Sequence, residues 1–404
     1  MLISGKFVFF FDGYDELDIN IRSNIALEIS QLAKKYPQNS YIITSRPTDE
    51  INLLDGFYNY QVRRLSKLQI TEFVKRQYNK KEQELANKII ESINSKEVDQ
   101  YRHLLSNPLL LSMFILTYQT DSHIPQKTSD FYAQVFNTLY SGHDTISKLG
   151  YRREKRSGLS KDAISSLLER FSFITYWDYK YTFFHADVQH YLSRIKTYTN
   201  IQFDSDALIY DLQVSINILI KDGCVYEFPH RSLQEYFAAS FVTEQTMELK
   251  KQIYELFVNL SFTKFVVHYN FFYLLSELDN DTFKRLFVIP YLDKISIELK
   301  HAQEQNKYMY FRALRQMSII FNKNMHNDFR AIYIEYMNRL RSIRNEARIG
   351  TRKYMEQQEK IKEELIVPFI VNYDYRAVIE DIQAHIKKDN ALGKVFINQI
   401  FQRH

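Results

Sequence analysis

The amino-terminal segment FVFFFDGYDELD places Asp12, Asp15 and Glu16 directly after the apolar run at residues 7–11. A strand ending in Asp12, with Asp15 and Glu16 just past its turn, gathers negative charge where parallel sheets bind ligands, at the carboxyl ends of their strands. One such carboxylate can hold the water shell of a magnesium ion, and another can orient the water that attacks a terminal phosphate. A solvated acidic turn would carry the same residue types. Arg46 adds a complementary group. It closes the apolar segment YIITSRP, and its planar guanidinium offers a fork of donors matched to phosphate oxygens.

The elements that must position these side chains can be read from hydrophobic spacing. Residues 7–11 form an uninterrupted apolar run, as expected for a strand covered on both faces. Ile25, Ile29, Leu32 and Ala33 recur at helical spacing, and Tyr41, Ile42, Ile43 and Thr44 supply a second strand. A right-handed crossover would make the two strands parallel, so that Asp12 and Ser45-Arg46 open onto one edge of the sheet. A weak third strand is expected at residues 58–62. Beyond Leu65 the pattern turns helical: Ile70, Phe73, Val74 and Tyr78 share a face, and Ile164, Leu167, Leu168, Phe171 and Ile174 repeat it. Leu109, Leu110, Leu111, Met113 and Phe114 follow Pro108 in what should be a buried helix. The segment YRREKRSG at residues 151–158 reads as an exposed basic loop. Leu212, Ile216, Leu219 and Ile220 suggest a helix running into a hairpin turn at Asp222-Gly223, then a strand through Val225 and Phe228. Helix followed by hairpin predicts a winged helix. Past residue 244 the patterning stays helical, with Phe265, Tyr269, Phe272 and Tyr273 as one example, but no motif stands out.

Composition limits the classes. The 404 residues include only 9 Gly and 7 Pro, about 4% together against a usual share of roughly 12%, which favours long helices over a turn-rich sandwich. The single cysteine, Cys224, excludes an internal disulfide or a four-thiolate zinc site and reads as a free core thiol in a reducing cytosol. A net charge of +5 on a chain this long does not by itself imply nucleic acid. With no signal-peptide pattern and no long apolar stretch, the expected location is cytoplasmic, without a membrane span.

Five segments in order, FVFFFDGYDELD, YIITSRP, RRLSKLQITEFV, SNPLLLSMF and FPHRSLQEYFAA, resemble the NACHT family of signal-transduction NTPases, which are relatives of AAA+ ATPases. The resemblance runs over about residues 5–243. It implies an α/β portion followed by mainly α structure: a partial P-loop NTPase parallel sheet, a helical domain, a winged helix and a carboxyl-terminal helical region. Residues 1–66 would be the second half of the nucleotide-binding domain, 67–125 a small helical domain, 126–243 the winged-helix domain and 244–404 a helical region without an assigned role. By resemblance Asp12 is the Walker B carboxylate associated with Mg2+ through water, and Asp15 and Glu16 are the acidic pair that positions the hydrolytic water. Arg46 is similar to the sensor arginine that detects the terminal phosphate, and Pro108 to the proline that packs on adenine. His230 matches the histidine that bonds the diphosphate of ADP and holds the resting state shut. Taken alone, a histidine before an amphipathic helix would read as a cap or a core residue.

The phosphate-gripping pattern G-x-x-x-x-G-K-[ST] does not occur, and Gly5-Lys6 is no substitute because Phe7 follows the lysine. The expectation is therefore the carboxyl-terminal portion of an ATP/ADP-controlled, oligomerising switch, of the kind used in anti-phage defence. An upstream NACHT segment or effector domain would complete it, and the chain alone would bind ATP weakly. The competing expectation is a non-enzymatic helical and winged-helix interaction protein, a decayed remnant. Arg341, Arg344, Arg348 and Arg352 would form a stripe facing nucleic acid or an acidic partner if their segment were helical, but Gly350 interrupts it. Asp279-Asn280-Asp281 lacks the remainder of a calcium loop, and His185 and His190 do not fit a zinc-protease pattern.

Overall fold

The computed structural model describes residues 2–12, 14, 19–44, 54, 56–58, 60, 62–79, 82–95, 98, 102, 104–120, 125–141, 155–222, 224–260, 264, 267–346 and 351–401. These residues are mostly helical, with two small sheets. The chain divides between Ser66 and Lys67 into two units.

In the first unit, strands β1 (Val8–Phe11) and β2 (Ser40–Ile43) pair in parallel, with Phe11 opposite Ile43. A parallel pair needs a crossover, and helix α1 (Ile19–Lys35) provides it. Side chains alternate across the sheet. Phe11 and Ile43 pack with Ala26 and Ile29 of α1, and Tyr14 and Leu54 complete this small core. Phe9 stacks on its cross-strand partner Tyr41 with ring centres 5.1 Å apart. The opposite face is open: Val8, Phe10 and Ile42 are 54%, 70% and 45% exposed. Among the described residues, cover on both faces, expected from the apolar run, is therefore not found: the one described α-helix of this unit packs on one face. The third strand is also absent from the described part of residues 58–62. Tyr58, Tyr60 and Val62 lie outside any strand, and all three are exposed.

Gly5 has a role unrelated to phosphate. Its φ is +66°, and a Cβ there would come within 2.8 Å of the Gln38 side chain and carbonyl. Asn39 fastens the same corner, donating to the Leu2 carbonyl at 2.7 Å and accepting the Phe7 N–H at 3.2 Å.

The second unit begins with α2 (Lys67–Gln77) and α3 (Gln83–Asn94), which bury Ile70 and Val74, and Ala86, Ile89 and Ile93. Helices α4 (Pro108–Thr120) and α5 (Thr128–Ser141) follow. In α4, Leu110, Leu111, Met113 and Phe114 are buried as expected, but Leu109 in the first turn is 36% exposed. Helix α6 (Lys161–Trp177), capped by the Ser160 hydroxyl, buries the Ile164, Leu167, Leu168 and Phe171 face.

Next come strand β3 (Thr182–Phe184), helices α7 (His185–Thr197) and α8 (Ser205–Tyr210), a π-helical turn at Asp211–Ser215, and strands β4 (Ile220–Asp222) and β5 (Val225–Glu227). The three strands form an antiparallel sheet in the order β3-β5-β4. The helix expected to reach Leu219 and Ile220 stops earlier. Asn217 takes a left-handed φ of 59°, a conformation asparagine tolerates, and the Ile218 and Leu219 amides turn back to the Leu212 carbonyl. Cys224 is exposed beside the hairpin turn, not in the core, because the turn lies at the solvent end of the two strands.

The basic loop before α6 is held down. The buried Asp211 carboxylate accepts the Arg156 and Ser157 amides at 2.7 and 2.9 Å, and the Arg156 guanidinium lies 3.4 Å from the Tyr210 ring centre. Residues 151–154 lie outside the described residues.

Helices α9 (Arg231–Thr243), α10 (Met247–Val258) and α11 (Tyr269–Leu278) follow the hairpin. The carboxyl-terminal region then adds α12 (Ile289–His301), α13 (Glu304–Phe321), α14 (Lys323–Glu346), α15 (Thr351–Ile361) and α16 (Tyr375–Phe401). Helix α14 ends at Glu346 and α15 starts at Thr351, so the arginine stripe does not lie on one described helix. The side chains of Arg344, Arg348 and Arg352 lie outside the described residues. Among the described residues, no helix is long and apolar enough to cross a membrane.

Candidate functional site

Asp12 follows β1 and Thr44 follows β2, so parallel pairing sets them side by side at the carboxyl edge of the sheet. The Thr44 hydroxyl donates to Asp12 Oδ1. The Thr44 backbone closes the edge from both sides: its N–H donates to the Phe11 carbonyl at 2.9 Å, and its carbonyl accepts the Tyr14 N–H at 3.0 Å. Tyr14 is 3% exposed and joins the α1 core. Its side chain is buried while Asp12 stays in solvent. Asp15, Glu16 and Arg46 lie outside the described residues.

Among the described residues no three His, Cys, Asp or Glu side chains gather as metal ligands, whereas Mg2+ in phosphate sites takes one or two carboxylates and completes its shell with water and phosphate oxygens. At this edge Asp12 is an exposed carboxylate.

Pro108 and His230 belong to the second unit. Pro108 is the first residue of α4, where a missing N–H costs nothing and its fixed φ suits a helix start. Asn107 caps the same helix by accepting the Leu109 N–H at 2.9 Å. The proline ring is exposed.

His230 is the N-cap of α9. Its Nδ1 accepts the Ser232 N–H at 3.2 Å and lies 2.5 Å from the Ser232 hydroxyl. Accepting an amide at Nδ1 places the hydrogen of the neutral ring on Nε2. The capping role weighed from sequence is thus present, and it leaves the imidazole in the tautomer that can donate from Nε2.

The next residue ties this cap to the helices behind it. Arg231 Nε pairs with Glu235 at 3.1 Å, and its guanidinium lies 4.2 Å from the Tyr181 ring centre. Glu235 also accepts from Asn270 of α11 at 2.5 Å. Burial pushes the Glu235 carboxyl up, opposed by Arg231. Behind them His268, fully buried, lies 2.6 Å from the Tyr176 hydroxyl through Nδ1 and 3.3 Å from that of Tyr179 through Nε2. Burial, then the nearby Arg231, pushes its pKa down to about 4.

Sequence reasoning missed Thr44, Tyr14, Arg231, Glu235 and His268 as members of these sites. Thr44 and Tyr14 sit inside the quoted motifs, and alternation along β2 could have pointed to the first. Arg231 and Glu235 are four apart at the start of α9, a spacing that marks an intrahelical ion pair. No local signal distinguishes His268, whose partners are 92 and 89 residues away. No protein-family model matches the chain, and no curated protein matches its sequence.

Proposed function

We propose that this chain carries the Walker B, sensor and winged-helix parts of a NACHT-type, nucleotide-controlled signalling switch, with the phosphate-gripping loop contributed by polypeptide outside these residues. The observation that carries this reading is the placement of the Asp12 carboxylate at the carboxyl end of β1, hydrogen-bonded to Thr44 at the end of the parallel β2. That edge is where open α/β sheets hold ligands. Further support comes from the helix–strand–helix–helix–strand–strand order of α6 to β5, the order expected of a winged helix, and from the histidine cap that follows it.

In this reading Mg2+ neutralises phosphate charge when nucleotide is bound, and Asp12 orients its water shell. Asp15 and Glu16 position water, Arg46 contacts the terminal phosphate and Pro108 packs on adenine. His230 would donate from Nε2 to the diphosphate of bound ADP, and release of that bond on nucleotide exchange would shift the balance between a resting and an assembling, homo-oligomeric state. Anti-phage defence is the proposed setting.

The test is calorimetric. The 404-residue chain alone is expected to show weak ATP binding at most. In a polypeptide that also supplies a phosphate loop, Asp12→Ala and Arg46→Ala should each weaken magnesium-dependent ATP binding by about tenfold or more, the loss of one charged contact. Unchanged affinity in both variants refutes the reading.

A further inference from the structure

A cleft of about 580 Å³ opens in the second unit where α11, α13, α14 and α16 meet the approach to α5. Its size falls within the roughly 300–1,000 Å³ of small-molecule sites. Lys127, Lys284 and Lys323 are the lysines in its lining, and Glu277 and Asp381 the acidic residues. Both acids are already engaged. Glu277 accepts the Thr128 and Ser129 amides at 3.3 and 2.7 Å, and Asp381 accepts from Asn322 at 2.7 Å. Among the described residues Lys127 reaches a neutral carbonyl, that of Glu277, at 3.3 Å, and no carboxylate. Half-buried Lys284 and exposed Lys323 pair with no carboxylate among the described residues. Among the described residues the three lysines thus have no carboxylate partner of their own. The remaining lining is mixed polar and apolar, with Ile319, 53% exposed, and Tyr273 on its apolar part.

Unpaired ammonium groups beside an apolar wall suit a compact anionic head on a planar or aliphatic body. We propose that this cleft binds a small organic phosphate monoester, with its phosphate on Lys127, Lys284 and Lys323 and its body against Tyr273 and Ile319. A monoester carries close to two negative charges at neutral pH and so offsets the charge of more than one ammonium, whereas a carboxylate carries one. The site is separate from the Asp12 edge and does not depend on the reading given for it.

The complete chain is titrated calorimetrically with phenyl phosphate at low ionic strength, with EDTA present to remove the magnesium that the Asp12 edge requires. Saturable binding of one equivalent is expected, about fivefold or more tighter than inorganic phosphate or benzoate. It should weaken about tenfold in Lys127→Gln/Lys284→Gln, consistent with loss of charge-assisted contacts. The exposed Lys323→Gln, which leaves the packing untouched, should weaken it about threefold. Absence of saturable binding, equal affinity for benzoate, or undiminished affinity in Lys323→Gln and in a folded double variant would overturn the proposal.

Discussion

His230 Nδ1 accepts the backbone N–H of Ser232, so the ring that the nucleotide reading assigns to a diphosphate also caps α9. The two roles use different nitrogens, and they can be separated by substitution. Because Arg231 follows directly and pairs with Glu235, which in turn holds Asn270 of α11, any movement of the cap is felt by the helices behind it.

Replacing His230 by Ala removes the cap acceptor and should cost about 1 kcal/mol of stability, whereas Ser, a good N-cap residue, should retain most of it. Urea unfolding of the two variants, with unchanged slope, checks the difference.

Removing one partner of the α9 ion pair leaves the other poorly compensated. Arg231→Met should destabilise by about 2–3 kcal/mol, less than a fully buried pair because the arginine is partly exposed, and Arg231→Met/Glu235→Gln should recover much of that loss. Denaturant melts of the single and double variants give the coupling; additive losses would contradict it.

The His268 ring has a lowered pKa of about 4 against 6.5. The unfolded chain therefore binds more protons between these values, so this residue's contribution is complete above about pH 6.5 and is lost as pH falls toward 4. Raised carboxyl groups such as Glu235 act in the opposite sense, so the comparison must be made against a variant. His268→Gln should flatten the fall in stability between pH 6.5 and 5, read from thermal melts at half-unit steps.

Gly5→Ala meets both a positive φ and the Gln38 backbone at 2.8 Å. A loss of about 1–3 kcal/mol is expected, seen as a lower melting temperature with unchanged secondary structure. A neutral effect would show that this corner is not packed as described.

The parallel strand pair, its crossover helix and the helical faces were legible because short apolar runs and the 3.6-residue spacing report local geometry directly. The open face carrying Phe10 was not, since an apolar run shows that a strand can be covered without showing what covers it. Strand β3 escaped because Thr182–Phe184 is too short for alternation to register. Asn217 ended a helix whose apolar spacing continued past it, so turn chemistry overrode period. Asp12, Pro108 and His230 were visible as motif positions. The Thr44 contact, the Arg231–Glu235 pair and buried His268 depend on tertiary neighbours that spacing does not reveal.

The central claim is most directly tested by the affinity of ADP, with magnesium, for a polypeptide that joins a phosphate loop to this chain, wild type against His230→Ser. The account predicts about tenfold weaker ADP binding in the variant at nearly unchanged stability, because serine keeps the cap and lacks the imidazole. Equal ADP affinity in the two proteins would contradict it.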